Sequence, residues 1–422
     1  MRVYDDIASD YATNWFDDSV MVQAIEEFVH LLESTGDILD AGCGPGRDVL
    51  ALENKGFTTV GIDLSSAMLA EARARVGHAI FRRMDMRQLQ YPPETFAGIW
   101  ACASLQHLTR DEARQTLKGF TRVLKPAGVL SISVKAGEGE NIDGLGRYEK
   151  LYTVSDFNEL VSTSGFKVVR EVHSLNLKRT IGCLPQDWLN VLAIKSSTPE
   201  NNSISDNECV FCPASRFNLC RQIGLPTAGS ILWGNDHLFV IPDIAPLAEG
   251  HLLIIASDHL VCFGAIPKAM DHSLQQSEEW IRKLFQETYQ RPPLFFEHGP
   301  ARSKEVGACI DHAHLHCLPA SLSLRRSIEC YFGPGQRASI DTLRRLYGSG
   351  QSYLYIQEDP YEGRVYLADN TPSQFFRQII ALEFRHRTWR WQTSFKREIS
   401  KHVYLQTLNK LLPLVDHFLN QD

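Results

Sequence analysis

The first half of the chain alternates short apolar runs with amphipathic stretches of helical period. The apolar runs are GDILDAG, FTTVGID, FAGIWACASL and GVLSISV, and the helical stretches include SVMVQAIEEFVHLL, SAMLAEARARV and DEARQTLKGFTRVL. Strands that alternate with helices favour a mostly parallel sheet covered by helices on both faces. We therefore predict a doubly wound α/β domain over residues 1–197.

The second half has a different pattern, because its apolar runs follow one another more closely. These runs are SILWG, HLFVIP, HLLIIAS, PLFFEHG and DHAHLHCLP. Closely spaced strands predict an α+β domain with an antiparallel sheet, here over residues 208–320. Between the two halves, the polar stretch KSSTPENNSISDNE has no apolar periodicity and predicts a linker at 198–207.

Residues 321–422 are predicted to form a carboxy-terminal α+β extension of the second domain. A strand-like pair, SYLYIQ and GRVYLAD, precedes the helical stretch PSQFFRQIIALEFRHRTWRWQ. The segment around this stretch is locally basic through Arg377, Arg385, Arg387, Arg390, Lys396 and Arg397. Such a segment can hold phosphates or stack a base, with Gln374 and Arg377 as candidate nucleotide-binding residues. A solvated basic helix face is the alternative.

Length and charge narrow the possible functions. A chain of 422 residues with 44% hydrophobic content can fill at least two cores. The net charge of -7 gives no general attraction to nucleic acid or to an anionic membrane, so nucleic-acid binding would need a local patch. The amino terminus lacks the basic patch of a signal peptide, and no apolar run is long enough to span a membrane. We expect a cytoplasmic protein without membrane contact.

A glycine loop follows the first predicted strand. Asp40 ends this strand, Gly42, Gly44 and Gly46 follow at every second position, and a helix begins near Arg47. Glycines at this spacing let the backbone turn tightly and approach a ligand. A dinucleotide site prefers G-x-G-x-x-G, so the arginine in the place of the last glycine disfavours NAD.

Acidic residues follow the next two strands. Asp63 ends the second strand, where an acid can face ribose hydroxyls, and Asp85 and Met86 follow the third. The segments DAGCGPG, GIDLSSAML, MDM, SLQHL and RVLKPAGVL resemble successive motifs of the class I S-adenosylmethionine-dependent methyltransferases, which have a Rossmann-like fold. The resemblance implies that S-adenosylmethionine (SAM) is the cofactor. Asp40 and the glycine loop would hold its methionine portion, Asp63 the ribose, and Asp85 with Met86 the adenine.

Two further features of this half follow from the same resemblance. The opening segment from Tyr4 to Tyr11 resembles the lid that many small members fold over the cofactor, with Tyr11 as a cofactor-binding residue. His107 follows the fourth predicted strand, where the family often binds its acceptor, and it can take a proton from a nucleophile. A histidine at a helix start or in the core is the alternative. The acceptor itself is expected to be a small molecule or a nucleotide-linked group.

The run DHAHLHCLP carries the strongest chemical signal of the second half. On a strand, His312, His314 and His316 share one face, while the residues between them enter the core. Three imidazoles on one face suit phosphate chemistry, because a neutral imidazole can attack phosphorus and its neighbours can donate to the oxygens. The run therefore predicts phosphate chemistry at this strand.

This run and its neighbours resemble the histidine-triad (HIT) superfamily of nucleotide hydrolases and transferases. GHLLII followed by His259 resembles the family's GH-strand-H segment, and VIPDI resembles the preceding strand. The resemblance implies that His314 is the nucleophile, which forms a nucleotidyl-histidine intermediate at an α-phosphate. It implies further that His316 contacts the phosphate and that Asp243 binds ribose.

A CxxC pair begins the second half. Alone it is ambiguous between a metal site, a redox pair and buried thiols. Some family members use such a pair with two histidines to bind zinc, and matching by position gives Cys209, Cys212, His259 and His312. These are ordinary tetrahedral zinc ligands, so zinc is the second expected cofactor.

One departure from the family limits what the resemblance implies. Many triad hydrolases carry an asparagine and a G-Q-S or G-Q-x segment before the triad, whereas this chain has FEHGP and later GACI. The resemblance thus extends to the nucleophile but does not identify the substrate. His298, in the first of these segments, is a candidate for a phosphate contact or for protonating the leaving group. A structural loop histidine is the alternative.

The sequence as a whole predicts a bifunctional enzyme, with one methylating and one nucleotide-processing domain. One alternative is a methyltransferase regulated by a non-catalytic, zinc-stabilised nucleotide-binding module. Another is an RNA methyltransferase that grips its substrate through the basic carboxy-terminal segment. We expect small-molecule or nucleotide-conjugate substrates, and family resemblance suggests a homodimer.

Overall fold

The computed structural model describes residues 2–16, 21–32, 36–174, 187–196, 209–302, 310–321, 323–359, 362–368, 371, 374–384 and 389–418. The chain divides into two compact units, residues 1–202 with 419–422 and residues 203–418. Each unit is described by itself. The predicted linker at 198–207 lies within the stretch 197–208, outside the described residues.

The first unit contains helices and strands in the predicted alternation. Its helices are α1 Arg2–Trp15, α2 Val22–His30, α3 Arg47–Asn54, α4 Ser66–Arg75, α5 Arg110–Val123 and α6 Val154–Thr163, with a 3-10 turn at Leu105–His107. Its strands are β1 Ile38–Ala41, β2 Thr59–Asp63, β3 Ile80–Arg83, β4 Phe96–Cys102, β5 Leu124–Lys135, β6 Glu140–Ile142, β7 Tyr148–Lys150, β8 Phe166–Ser174 and β9 Trp188–Lys195.

Seven strands of the first unit form one sheet in the order β3-β2-β1-β4-β5-β9-β8. The first five in this order pair in parallel, and β9 is antiparallel to both β5 and β8. Strand order reverses between β1 and β4, and a crevice therefore opens at this point of the sheet. The carboxyl ends of β1 and β2 border this crevice. The predicted doubly wound, Rossmann-like fold is confirmed for this unit.

Burial in the first unit explains why these segments form strands. All four residues of β1 are buried, as expected for a central parallel strand covered on both faces. Phe28 of α2 packs edge-on against Trp100 of β4 with ring centroids 5.4 Å apart. Val49, Leu69 and Phe81 belong to a second buried cluster. These two clusters include residues of β1, β3 and β4, whose ends border the candidate site.

The second unit has more strands relative to its helices. Its helices are α7 Asn218–Ile223, α8 Asp271–Tyr289, α9 Arg325–Phe332, α10 Ile340–Gly348, α11 Phe375–Glu383, α12 Trp391–Ser394 and α13 Glu398–Phe418, with 3-10 turns at Ala228–Ser230, Phe263–Ala265 and Lys268–Met270. Its strands are β10 Trp233–Gly234, β11 Leu238–Pro242, β12 Leu252–Ala256, β13 Pro293–Gly299, β14 His314–Pro319, β15 Gln336–Ala338, β16 Tyr353–Asp359 and β17 Glu362–Leu367.

These eight strands form one antiparallel sheet in the order β10-β11-β12-β14-β13-β16-β17-β15. The histidine-bearing strand β14 lies in its middle, between β12 and β13. Strands β15, β16 and β17 come from the predicted extension and continue the same sheet. The extension is therefore structurally continuous with the sheet that carries the triad.

Among the described residues, no helix combines the length and the apolar character needed to cross a bilayer.

A buried carboxyl group makes the stability of the second unit sensitive to pH. Glu297 of β13 accepts hydrogen bonds from Phe263 N at 2.7 Å and from the Tyr353 hydroxyl at 2.8 Å. Burial nevertheless raises the pKa of Glu297 to about 7. Its folded pKa lies above its unfolded one, so the folded state holds more protons between these values and this contribution to stability is lost as pH rises through them.

We predict that Glu297→Gln flattens the pH dependence of stability between pH 4.5, the ordinary pKa, and about pH 7. The wild-type free energy of unfolding should fall by up to about 3 kcal/mol more than that of the variant across this window. Scanning calorimetry of the full chain at a series of pH values measures the difference. The exposed Glu287→Gln should behave as wild type, and equal slopes for Glu297→Gln and wild type would contradict the assignment.

Candidate active sites

The glycine loop of the first unit joins the end of β1 to the start of α3. Gly42 has a φ of +86°, and a Cβ atom there would lie 2.4 Å from Ser104 Cβ. Gly44 has a φ of +51°, and no atom of the described residues comes within 4 Å of the place where its Cβ would be. The loop therefore needs glycine at Gly42 for close packing and leaves open space at Gly44, where the backbone can meet a ligand.

Asp40 provides an unsatisfied buried acid beside this loop. Its side chain is 2% exposed, and its Oδ2 atom has no hydrogen-bond partner among the described residues. Burial raises the pKa of Asp40 well above its usual value, and Asp48 nearby adds to the shift. A buried carboxylate in this state is stabilised by a cation that approaches it. An ammonium group bound at the loop would satisfy this oxygen.

Asp63 lies at the end of β2 with both carboxylate oxygens held by the backbone. Oδ2 accepts from Gly44 N and Oδ1 accepts from Ser65 N, both at 2.9 Å. Each oxygen can accept a further hydrogen bond. Asp63 is therefore fixed in orientation and still able to accept from ligand hydroxyls.

Asp85 and Met86 follow β3 at the same edge of the sheet. Asp85 is held by Arg87, whose backbone N–H donates to Oδ1 at 2.9 Å and whose side chain forms an ion pair at 2.6 Å. The Met86 Cε atom lies 3.4 Å from the position that a Cβ at Gly42 would take. The structure thus brings the predicted cofactor residues of three successive strands to one edge.

Helix α1 is joined to this edge by the Tyr4 hydroxyl. The Tyr4 oxygen accepts from Arg147 Nη1 at 2.9 Å, and its hydroxyl lies 2.8 Å from His107 Nε2. His107 Nδ1 lies 2.9 Å from the Tyr148 carbonyl oxygen, which only accepts, so Nδ1 carries the proton and Nε2 accepts from Tyr4. Burial lowers the pKa of His107. Nε2, the ring nitrogen that keeps a lone pair, is thus bonded to Tyr4.

A second contact holds α1 against the start of α4. Asp5 Oδ1 accepts from the Ser65 hydroxyl at 2.6 Å and from Ala67 N at 3.2 Å, at the start of α4. The Tyr11 ring packs edge-on against Tyr4 with centroids 6.3 Å apart. These contacts place the predicted lid segment as a helix packed on the unit.

In the second unit, β14 carries two of the three predicted histidines. The strand begins at His314, and His312 precedes it, so the prediction of three histidines on one strand was wrong for His312. The reason is that the ladder with β12 breaks at this point, because Ala313 N–H donates to Leu260 O and the Ala256 carbonyl accepts from the His312 ring instead. His312 therefore faces the CxxC segment.

The protonation of His314 follows from a backbone contact. Its Nδ1 atom lies 2.6 Å from the His312 carbonyl oxygen, so Nδ1 donates and Nε2 keeps its lone pair. Burial lowers the pKa of His314, which favours the neutral ring. His314 is thus arranged as a nucleophile or base through Nε2.

A hydrogen-bonded pair determines the protonation of His316. Leu247 N–H donates to His251 Nδ1 at 3.1 Å, so the proton of His251 lies on Nε2. That nitrogen is 3.0 Å from His316 Nδ1, which accepts, and the proton of His316 lies on Nε2. Burial lowers the pKa of His251 to about 4 and keeps this ring neutral. The His316 ring also stacks on Phe296 at 4.6 Å. The two strand histidines therefore offer one lone pair and one N–H group.

The four predicted metal ligands lie together. Cys209 Sγ is 3.3 Å from His312 Nδ1, Cys212 Sγ is 3.2 Å from His259 Nδ1, and all four ligand atoms lie within 4.8 Å of one another. His312 Nε2 donates to Ala256 O at 2.7 Å, which leaves Nδ1 unprotonated toward the sulfur atoms. Despite burial, the hydrogen bond with Cys212 lowers the pKa of the Cys209 thiol. Two sulfur and two nitrogen donors at this spacing suit a tetrahedral ion.

Asp243, the predicted ribose ligand, contacts Arg377, the predicted nucleotide-binding residue. Asp243 Oδ2 accepts from Arg377 Nη1 at 2.7 Å and lies 3.5 Å from His251 Nδ1 and 3.7 Å from His316 Nδ1. Burial acts to raise the pKa of Asp243, but Arg377 and His251 bring it below the usual value. Both residues thus belong to one buried cluster beside the triad.

A cavity of about 680 Å³, including the space at its mouth, opens beside these residues. Its polar lining includes His314, His316, Asp243, Arg377 and Arg216. Its apolar lining includes Val210, Phe211, Phe217, Leu219, Ile241, Pro242, Ile244, Leu253, Ile310 and Trp391. The first two of these lie between the cysteines, and the last comes from the extension. The cavity can therefore hold a group with a flat apolar part and a polar part directed at the histidines.

Two predicted residues lie apart from this lining. Gln374 accepts from Trp391 N at 3.0 Å and donates to Gln392 Oε1 at 2.9 Å, so it holds the segment that carries Trp391. His298 belongs to β13, on the same strand face as Phe296, and does not line the cavity. Of the basic tail, Arg385 and Arg387 lie outside the described residues.

Sequence reasoning missed two residues of these sites. It gave no role to His251, although this histidine is 0% exposed and bonds His316. The GH pair before an apolar strand was the available signal. Tyr4 was part of the predicted lid, but its contact with His107 joins positions that are 103 residues apart, and no local pattern indicates such a pairing.

Comparison with known proteins concerns the first unit. Residues 38–128 match the family model of a methyltransferase domain. The protein YqeM of Bacillus subtilis, named as a methyltransferase, is 35% identical over 141 residues, which cover 31% of this chain and 52% of YqeM. A protein of Encephalitozoon cuniculi, also named as a methyltransferase, is 31% identical over 154 residues, which cover 31% of this chain and 70% of that protein.

Among solved structures, a SAM-dependent methyltransferase of Methanosarcina mazei is similar to this chain, with 20% sequence identity and a TM-score of 0.37. The similarity covers 40% of this chain and 97% of the Methanosarcina mazei chain. The chain spans about half of the length of several curated relatives that it matches.

Proposed function

Since the chain belongs to the class I SAM-dependent methyltransferases through its amino-terminal unit, we propose that this unit transfers the methyl group of SAM to a small-molecule or nucleotide-linked acceptor. The observation that carries the proposal is the buried Asp40 oxygen without a partner, next to the open backbone at Gly44. The ammonium group of the methionine portion fits this oxygen. Asp63 accepts from the ribose hydroxyls, and Asp85 with Met86 borders the adenine.

The residues of this unit mainly align and enclose the reactants. SAM supplies a methyl group activated by a sulfonium. The acceptor's lone pair forms the bond to the methyl carbon, and the carbon–sulfur bond breaks with its electron pair on sulfur. Helix α1 covers the site through Tyr4 and Asp5. A proton released by the acceptor passes to solvent, or to His107 Nε2 by way of the Tyr4 hydroxyl, since Tyr4 occupies that nitrogen.

For the second unit we infer a histidine-triad activity, the hydrolysis or transfer of a nucleoside monophosphate at its α-phosphate. The carrying observation is the pair of fixed tautomers at the cavity, the lone pair of His314 Nε2 and the N–H of His316 Nε2. These are the two groups that an attack on phosphorus requires. The intact pair favours this function over a non-catalytic nucleotide-binding module.

The reaction takes two steps at His314. Nε2 forms a bond to the α-phosphorus, the bond to the leaving group breaks with its electron pair, and the leaving group takes a proton from solvent. His316 donates to a non-bridging phosphate oxygen. In the second step, the oxygen of water or of an acceptor hydroxyl bonds to phosphorus, the nitrogen–phosphorus bond breaks, and its electron pair returns to Nε2. The attacking oxygen loses its proton to solvent.

A zinc ion at the four-ligand cluster would support this chemistry indirectly. Cys209, Cys212, His259 and His312 would hold the ion, and His312 would thereby be kept in place. The carbonyl of His312 is the group that accepts from His314 Nδ1. The cluster would therefore stabilise the orientation of the nucleophile without touching the substrate.

Asp63→Asn should weaken the binding of S-adenosylhomocysteine about thirtyfold. The amide has no negative charge, and its NH2 group would face one of the backbone N–H groups that donate to Asp63. Isothermal titration calorimetry of the full chain measures the affinity, and circular dichroism checks the fold. The matched control is Asp111→Asn, whose side chain is 93% exposed. An unchanged affinity in Asp63→Asn would remove Asp63 from the cofactor site.

His314→Ala should abolish a covalent adduct that the wild type forms. After brief incubation with adenosine 5′-phosphoramidate and a quench without acid, intact-mass spectrometry should find one added nucleoside monophosphate on wild type and none on the variant. His272→Ala, in an exposed position on α8, should retain the adduct. Turnover by His314→Ala at the wild-type rate would refute the assignment and favour a binding module.

The purified full chain should contain one zinc ion per molecule by plasma mass spectrometry. Cys209→Ser and His259→Ala should each lose most of it, because three ligands bind structural zinc far more weakly than four. The exposed Cys330→Ser should retain it. Loss of zinc should also lower the melting temperature of the second unit. A metal-free chain with the stability of the metal-loaded one would contradict the proposal.

A further inference from the structure

The hydroxyl of Tyr4 connects helix α1 with two other elements of the first unit. It accepts from Arg147 Nη1 at 2.9 Å, and it donates to His107 Nε2 at 2.8 Å. His107 ends the 3-10 turn that follows β4, and Arg147 lies just before β7 in the β6–β7 hairpin. One hydroxyl group thus joins the amino-terminal helix to both of these segments.

The first turn of α1 bridges the strand ends on either side of β1. Asp5 accepts from the Ser65 hydroxyl at the start of α4, which follows β2, whereas Tyr4 reaches the turn that follows β4. In the sheet, β1 lies between β2 and β4. Farther along the helix, burial raises the pKa of Tyr11 and the charge of Arg47, directly after the glycine loop, opposes this effect. Helix α1 therefore lies beside the loop that begins at the end of β1.

The bond between Tyr4 and His107 exists only while the imidazole is neutral. The Tyr148 carbonyl accepts from Nδ1 at 2.9 Å, so the neutral ring keeps its lone pair on Nε2 for Tyr4. A proton on Nε2 makes this nitrogen a donor, and it then faces an oxygen that already accepts from Arg147. The Tyr4 proton loses its acceptor, and two cations share one oxygen at a partly buried position.

The surroundings of His107 favour the neutral ring. Burial has the largest effect and lowers the pKa of His107. Arg147 of the hairpin and Lys135 of β5 lower this pKa further. The Tyr148 carbonyl and Glu149, both of the hairpin, act in the opposite direction, but Glu149 is ion-paired with Lys135. While Tyr4 is bound, His107 thus stays neutral below its ordinary pKa of 6.5.

We propose that the bond between Tyr4 and His107 is a latch that holds α1 closed over the cofactor, and that protonation of His107 opens it. Closed means that this bond is formed, and open means that Tyr4 has left His107. The site then retains its cofactor at neutral pH and releases S-adenosylhomocysteine once His107 has taken up a proton. Tyr4 and His107 are positioning residues in this respect.

The inference rests on the proposed methyl transfer, because that reaction can supply the proton. As the lone pair of an acceptor O–H or N–H group bonds to the methyl carbon, sulfur keeps the electron pair of the broken bond. The acceptor proton passes to the Tyr4 oxygen while the Tyr4 proton moves to His107 Nε2, and the electron pair of the acceptor's own bond stays on the acceptor. Each turnover thus leaves His107 charged, and the latch opens when the product is ready to leave.

The direction of the pH effect follows from the two states of His107. In the open state, the ring in contact with water has its ordinary pKa of 6.5, whereas closure lowers this pKa. The open state therefore binds more protons between the two values, and closure is lost as pH falls below 6.5. Since one proton is involved, the equilibrium constant for opening rises by at most about tenfold per pH unit.

The first test measures how fast tritiated S-adenosylhomocysteine leaves the full chain after dilution into excess unlabelled compound, by rapid filtration at about pH 7.5 and about pH 5.5. His107→Gln has an amide oxygen that can accept from Tyr4 and takes up no proton. Between the two pH values, dissociation from wild type should accelerate about tenfold more than dissociation from His107→Gln.

This comparison isolates the latch from other titrating groups. Burial raises the pKa of Asp40, so acid also affects cofactor binding through this carboxyl group, but Asp40 is present in every variant compared. His30→Gln, in an exposed position on α2, should behave as wild type. Equal acceleration in wild type and His107→Gln would overturn the inference.

The second test removes the hydroxyl group and keeps the ring. In Tyr4→Phe, the bonds with His107 and Arg147 are lost, so at about pH 7.5 S-adenosylhomocysteine should dissociate about tenfold faster than from wild type. The control Tyr331→Phe, whose side chain is 73% exposed, should show the wild-type rate. A wild-type rate in Tyr4→Phe would show that Tyr4 does not hold the helix.

Hydrogen exchange of the ligand-free full chain separates failure of this inference from failure of the proposed cofactor. After correction for the intrinsic pH dependence of exchange, the amides of α1 should lose protection at about pH 5.5 in wild type but not in His107→Gln, while α5 keeps its protection in both. If this holds and wild type binds no S-adenosylhomocysteine, the cofactor proposal fails and the latch stands. If the compound binds and protection of α1 is equal at both pH values, the latch is refuted.

Discussion

Backbone carbonyl and amide groups determine which nitrogen of each triad ring carries a proton, and the second site depends on this constraint. The His312 carbonyl requires a proton on His314 Nδ1, and the Leu247 N–H requires that His251 donate to His316. Burial keeps the rings neutral, so the assignment does not depend on solvent. The proposed nucleophile, the proposed phosphate donor and the orientation of the proposed metal ligand all follow from the path of the backbone around β14.

In the first unit, by contrast, a buried polar group keeps an open hydrogen-bonding position for a ligand. One carboxylate oxygen of the buried Asp40 has no partner among the described residues, and Gly44 faces open space. Leaving a buried carboxylate oxygen unpaired costs stability, which the packing of the parallel strands around β1 offsets. The unpaired oxygen lies at the sheet edge where strand order reverses. Ligands bind at such an edge, because the strand ends there border one crevice.

The local pattern of apolar and polar residues predicted the helices and strands of both units well. Buried positions repeat every two residues in a strand and every three to four in a helix, so a short segment is enough to show the pattern. It also indicated candidate cofactor residues at the ends of β1 to β3 and four candidate metal ligands, and the structure brings each set together. The exceptions are long-range contacts and breaks in regular structure. His312 lies before its strand because Ala313 N–H donates to Leu260 O rather than to the neighbouring strand. Tyr4 on His107 depends on how α1 packs, which no sequence period specifies.

The contact between Asp243 and Arg377 shows why a family resemblance alone does not define a site. A buried ion pair contributes little net stability, because desolvation opposes the attraction between its charges. This pair lies against two histidines, and Arg377 donates further to the carbonyls of Trp389 and Ala245. Those extra bonds offset the cost of burial. The extension thus supplies a buried cation as the partner of Asp243, a contact that the resemblance of the local sequence does not indicate.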